Sequence, residues 1–103
     1  MYKRILIKVS GEALADESGF GIGTKTIGDL VRQLKVLNEE KIQIGIVIGG
    51  GNFWRGRQGS NMDRSTADHM GMLATLINAL ALQDALEAQG VPVRVQSALN
   101  INR

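Results

Sequence analysis

Two periods of apolar residues alternate along this chain. Ile5 to Val9 (ILIKV) is a short apolar run broken only by Lys8, and it reads as a β-strand. From Ile27 the period lengthens. Ile27, Leu30, Val31, Leu34 and Leu37 recur at helical spacing, which predicts a helix from Thr24–Thr26 to about Glu40. Thr26 and Asp29 at its start resemble a capping box with Asp in place of Glu. Ile42 to Ile48 (IQIGIVI) is a second strand, apolar enough in its second half to be covered on both faces. A long helix follows, capped by Asp63 or Ser65 and running to about Gln89, with Gly90 as the residue beyond its end. Its apolar positions Met70, Leu73, Ala74, Ile77, Leu80, Ala81 and Leu86 are widened past one face by Met72, Leu76 and Leu82. VPVRV, Val91 to Val95, reads as a third strand with Pro92 near its start.

The order strand-helix-strand-helix-strand predicts an α/β fold in which crossover helices join parallel strands and cover the sheet. Three strands make a narrow sheet, and an α/β domain normally continues past such a point. The chain is therefore expected to be the first part of something larger. The segment between the first strand and first helix, Ser10 to Gly23, holds four glycines and three acids and reads mostly as loop.

Composition narrows the function classes. The chain has 103 residues, 44% hydrophobic and 21% charged, as expected of one modest globular domain. Its twelve Lys and Arg are scattered and the net charge is only +2, so a nucleic-acid surface is not expected. There is no cysteine, which excludes disulfides, thiolate metal sites and thiol catalysis. No stretch has the length of a signal-peptide core or a membrane span, so the expectation is a cytoplasmic protein without a membrane role.

Both strands run into glycines. The first ends in Lys8-Val9-Ser10-Gly11, the second in Gly49-Gly50-Gly51-Asn52. In open parallel sheets, ligands gather at these carboxyl ends. Glycines there let backbone N–H groups approach an anion, and Lys8 and Arg55 on the same rim supply full positive charge. Together they read as a phosphate cradle. Glycine-rich strand ends also arise simply because a tight turn needs positive φ. Neither the P-loop pattern nor the dinucleotide G-x-G-x-x-G pattern is present.

In the long helix, Asp68, Gly71, Met72 and Thr75 fall on one side. Asp68 near the start is favoured by the helix dipole and is equally suited to hold sugar hydroxyls. Gly71 inside a helix costs about 1 kcal/mol against Ala, so something packs closely there, either a ligand or another helix. His69 has no partner of ligand type and reads as structural or interfacial. Phe53 and Trp54 either stack on a base or, the reading favoured here, plug the core under the loop. Asp16 to Gly23 reads as a mobile surface loop.

The segments YKRILIKVSGEAL, GFGI, IGIVIGGGNFWRG and MDRSTADHMGMLATLINALALQDALE, in this order, resemble bacterial UMP kinases of the amino-acid kinase superfamily. The last block is the specific one. The surroundings of Trp54, Arg57 and Met62 look like the Gram-positive type. The resemblance implies a parallel-strand α/β/α sandwich, of which residues 1–103 are the N-terminal, UMP- and phosphate-binding part. The ATP-binding C-terminal part, with the acidic residue near magnesium, would lie elsewhere.

It also implies ATP-dependent phosphorylation of UMP to UDP in pyrimidine biosynthesis, with Mg2+ accompanying ATP. Lys8, Ser10 and Gly11 match positions at the ATP phosphates, as do Gly51 and Arg55, and Lys8 and Arg55 match the catalytic cations. Gly50 and Asp68 match UMP contacts. Asp16, Glu17, Ser18, Gly19, Phe20 and Gly21 match the segment that binds GTP as an allosteric effector. The family is a homohexamer whose dimer contact uses the long helix, here residues 64–89. No metal ligand is expected in this chain, and the 103 residues alone are expected to be inactive. The alternative is a non-catalytic α/β module that associates through that same helix.

Overall fold

The computed structural model describes residues 3–54 and 61–96. Strand β1, Lys3–Val9, pairs in parallel with β2, Ile42–Ile48, with Ile7 opposite Ile46 and Val9 opposite Ile48. Helix α1, Thr24–Glu39, makes the crossover between them, and α2, Arg64–Ala88, follows β2. The α/β class and the parallel pairing are those expected from the sequence.

The strand period of two sorts the sheet into unlike faces. Ile7, Ile44, Ile46 and Ile48 turn toward a cluster built from Val31 and Leu34 of α1, Leu82 and Leu86 of α2, and Val91. Both helices therefore meet on this one face. The other face carries Arg4, Leu6 and Lys8 beside Gln43, Gly45 and Val47. No described residue covers it, and Leu6 is 76% exposed. The apolar second half of β2 predicts cover on both sides, but among the described residues it has cover on one.

The helix ends show which local signals survive. Asp63 caps α2, its carboxylate accepting from Thr66 N at 3.1 Å and from the Thr66 hydroxyl at 3.3 Å. At the other end Gly90 takes φ +79°. Its N–H donates to Glu87 O at 3.0 Å, and Val91 N donates to Leu86 O at 3.0 Å. These paired bonds form a Schellman ending, which only a residue comfortable in the left-handed region closes cheaply.

The start of α1 differs from the expectation. The helix begins at Thr24 after Gly23, with no side-chain cap. Thr26 Oγ1 donates instead to Ala15 O at 3.2 Å, and Asp29 pairs with Lys25 and Arg32. A long-range acceptor and two neighbouring cations thus take both members of the expected capping box.

Residues 91–96, where the sequence predicts a third strand, form no ladder, and the described sheet has two strands. Val91 is buried in the core and Val93 packs on it, so the apolar signal was sound. A strand also needs a backbone partner about 4.8 Å away. Here a groove of about 1140 Å³, lined by consecutive residues of β2 and by 91–96, stands between the two.

The core stripe of α2 is rotated from its expected position. Ala67, Ala74, Asn78, Leu82 and Leu86 are buried, whereas Met72, Leu73 and Ile77 are exposed. Gly71 faces Trp54, and a Cβ there would meet the indole at an ordinary 3.8 Å. Close packing therefore does not require glycine at this position.

Two unfolding measurements on the intact gene product test this account. Asp63→Ala is expected to lower stability by about 1 kcal/mol through the lost cap. Gly71→Ala is expected to raise it by about 0.5–1 kcal/mol, since the helix gains propensity without a clash.

Candidate functional site

The two glycine segments end neighbouring strands, so the parallel pairing alone brings them together. They do more than adjoin. After β1, Ser10 leads into a 3-10 turn, Gly11–Leu14, and Ser10 O accepts from Ala13 N at 3.1 Å. Gly11 is buried in this turn against the second segment. A Cβ on it would stand 2.7 Å from Asn52 Oδ1 and 2.9 Å from the Gly50 carbonyl carbon, and would press on Gly51 N. A Cβ on Gly50 would lie 2.8 Å from both Ala74 Cβ and Thr75 N of α2. Neither contact is one that a neighbour can relieve by moving a flexible side chain.

The triplet does not use positive φ. Among the described glycines only Gly19, Gly21 and Gly90 do. The turn explanation for Gly49-Gly50-Gly51 therefore fails. Close approach to α2 replaces it at Gly50, while the space beside Gly51 is taken by the Glu12 carboxylate and a Cβ on Gly49 would make only an ordinary contact, 3.4 Å from Gly11 N.

What holds the triplet in place lies beneath it. Asn52 and Asn78 are buried, at 1% and 0% exposure, and their amides bond each other reciprocally at 2.7 and 3.0 Å. Asn78 Nδ2 also donates to Gly49 O at 2.7 Å, and Asn52 Nδ2 to Gly21 O at 2.7 Å. Gly50 O accepts from both Phe53 N and Trp54 N at 3.0 Å. Sequence reasoning missed both asparagines. The available signal was Asn78 itself, a polar residue on the Ala74–Leu82–Leu86 line of a helix.

The segment Asp16 to Gly21 is tied to the same centre. Gly21 N donates to Asn52 O at 2.9 Å, and Gly23 N to Leu14 O at 2.8 Å. Phe20 meets Phe53 edge to face, with ring centroids 5.5 Å apart. Asp16 accepts from the hydroxyl and the backbone N–H of Ser18, and these bonds lower its pKa. The loop expected to be mobile is anchored at both ends of its glycine-rich half.

Of the remaining expected site residues, Lys8 is exposed on the uncovered face of β1, opposite Val47. Asp68 is exposed on α2. It directly follows Ala67, whose carbonyl accepts from Trp54 Nε1 at 3.1 Å. That bond pins the start of α2 to the end of the glycine segment. It also seats the half-buried Trp54 against α2, outside the core cluster that it was expected to plug. Arg55 lies outside the described residues. His69 is exposed, and among the described residues no three His, Cys, Asp or Glu side chains form a metal-binding group.

Chemically, the strand ends offer backbone amides, one lysine and a helix-bound carboxylate for hydroxyl groups. The Glu12 carboxylate works against an anion here. It fills the space that a side chain on residue 51 would take, its Cδ 2.8 Å from that Cβ position. An anion approaching Gly51 requires Glu12 to swing outward.

This geometry has close counterparts among solved structures. The chain is similar to UMP kinase from Ureaplasma parvum at 43% identity, with a TM-score of 0.81 over 88% of this chain and 40% of that one. It is similar to UMP kinase from Bacillus anthracis at 39% identity, with a TM-score of 0.79 over 84% of this chain and 36% of that one. It thus spans two fifths or less of the length of each. The model of the amino acid kinase family matches residues 3–103, nearly the whole chain, and the chain belongs to that family.

Proposed function

We propose that these residues form the UMP- and phosphate-binding part of a UMP kinase, which transfers the γ-phosphoryl group of ATP to UMP. The observation that carries the reading is the interlocking of Gly11 with Gly50 and Gly51 at the carboxyl ends of two parallel strands, beside Lys8. A purely structural loop has no need of a cation at that rim. The likeness to two UMP kinases, at 43% and 39% identity, supports UMP as the acceptor.

In this reading Ser10, Gly11 and Gly51 face the ATP phosphates, and Gly50 the UMP phosphate. Asp68 accepts hydrogen bonds from the UMP ribose. Lys8 and Arg55 neutralise charge as it redistributes over the transferred group. The work is positioning and electrostatic stabilisation, with no covalent enzyme intermediate. Magnesium would arrive with ATP. The described residues provide no carboxylate set to hold it, so no step here is routed through the metal. GTP as an effector at Asp16–Gly21, a cytoplasmic location and a place in pyrimidine biosynthesis belong to the same proposal.

The exposed Met72, Leu73 and Ile77 of α2 favour a second role, association of copies through that helix. Were the chain only such a module, it would self-associate without a saturable response to nucleotide.

Steady-state assays on the intact gene product decide between them. It is expected to form UDP from ATP and UMP, and Lys8→Ala to lower kcat by about a hundredfold or more. Asp68→Ala is expected to raise KM for UMP about tenfold while leaving KM for ATP nearly unchanged. The 103 residues alone are expected to form no UDP. Absence of UDP formation by the intact protein, or full activity of Lys8→Ala, overturns the reading.

A further inference from the structure

A phosphate cradle made of glycine backbone has a specific weakness. Peptides flanked by glycines flip easily, because no Cβ restricts φ and ψ on either side. In a trans peptide the carbonyl oxygen and the amide hydrogen point in opposite directions. A flip of the Gly49–Gly50 peptide would therefore present an oxygen to the anion and withdraw the Gly50 N–H. Something has to fix that peptide.

Asn78 is the group in position to do so. It is fully buried on α2, and its Nδ2 donates to Gly49 O at 2.7 Å. The Gly49 carbonyl is thereby held inward, and the Gly50 N–H of the same peptide plane is aimed away from α2. The second Nδ2 hydrogen goes to Asn52 Oδ1 at 2.7 Å, while Asn78 Oδ1 accepts from Asn52 Nδ2 at 3.0 Å. This reciprocal bond locks which way round the Asn78 amide sits. With the opposite orientation its oxygen would face the Gly49 carbonyl oxygen.

We infer that Asn78 is a positioning residue of the anion site, holding the Gly49–Gly50 peptide so that the loop presents N–H groups at the strand ends, with Asn52 fixing the orientation of the Asn78 amide. The inference rests on the phosphate-binding reading above, and it adds a residue on α2 that lies beneath the cradle.

Matched truncations separate positioning from simple stability. Asn52→Ala and Asn78→Ala each remove one amide from the same buried pair, with equal loss of volume. Only Asn78→Ala releases the Gly49 carbonyl. Binding of inorganic triphosphate to the intact gene product is measured by titration calorimetry, with folding checked by circular dichroism. Asn78→Ala is expected to weaken binding at least about tenfold, and Asn52→Ala, which leaves the Gly49 carbonyl its donor but frees the Asn78 amide to turn, to weaken it less, by about threefold. Equal weakening in the two variants, or no weakening in Asn78→Ala, overturns the inference.

If either alanine variant fails to fold, Asn52→Ser and Asn78→Ser carry the same comparison and the same criteria. Triphosphate binding without UMP phosphorylation would sink the kinase reading while leaving Asn78 testable. A wild-type protein that binds no triphosphate would overturn both.

Discussion

The reciprocal amide bond between Asn52 and Asn78 is the constraint on which the other parts of this site depend. An unpaired buried amide costs about 1–3 kcal/mol for each group left unsatisfied. A pair that satisfies itself and its surroundings removes that penalty and fixes geometry at once. All four amide hydrogens find acceptors here, two within the pair and one each on Gly21 and Gly49. Through those outer bonds, α2, the end of β2 and the loop before α1 become one unit. Without the pair, the Gly49 and Gly21 carbonyls would lose their side-chain donors, and the ties that remain, Gly21 N to Asn52 O and Trp54 Nε1 to Ala67 O, do not select the orientation of the Gly49–Gly50 peptide.

Seen from that centre, the glycines have a common cause. Gly11, Gly50 and Gly51 stand where backbone meets backbone, Ala74 of α2 or the Glu12 carboxylate at less than ordinary contact distance. Each glycine costs conformational entropy on folding, of order 0.5–1 kcal/mol against Ala where the backbone is regular. The return is that two loops and a helix approach closely enough for buried hydrogen bonds to form. The same approach leaves amides rather than side chains at the strand ends. Packing and anion binding thus ask for the same residue type, which is why glycine at these positions could not by itself distinguish them in the sequence.

How much was legible follows the range of the interactions involved. The limits of β2 and of α2, the Asp63 cap and the Gly90 ending are set by neighbours within a few residues, and all were readable. The capping box at Thr26 and Asp29 met the local rule, but Ala15 O, eleven residues away, took the threonine. The strand expected at Val91–Val95 had the right composition and lacked only a partner, which composition does not report. Leu73 and Ile77 looked like core because apolar spacing does not mark where the stripe begins. Asn78 shows in the sequence only as a polar residue on an apolar line, and its role stays hidden because its partner lies 26 residues away and is polar.

The electrostatics explain why the described residues look like one side of a site. A transferring phosphoryl group spreads negative charge over several oxygens, and fixed dipoles or cations must meet it from more than one direction. On this side stand loop amides and Lys8, with the Glu12 carboxylate opposing them at Gly51. Lys8 rises from the same sheet face that Leu6 and Val47 leave open. An uncovered apolar face beside an exposed lysine admits water, and water weakens each charge that would act there. Cover over that face would serve stability and chemistry together. It would bury Leu6 and Val47, and it would lower the dielectric around Lys8, where the proposed reaction needs its charge to be felt. The amide pair fixes the backbone on the inner side of the strands, and the electrostatic strength of the site is decided on the outer side.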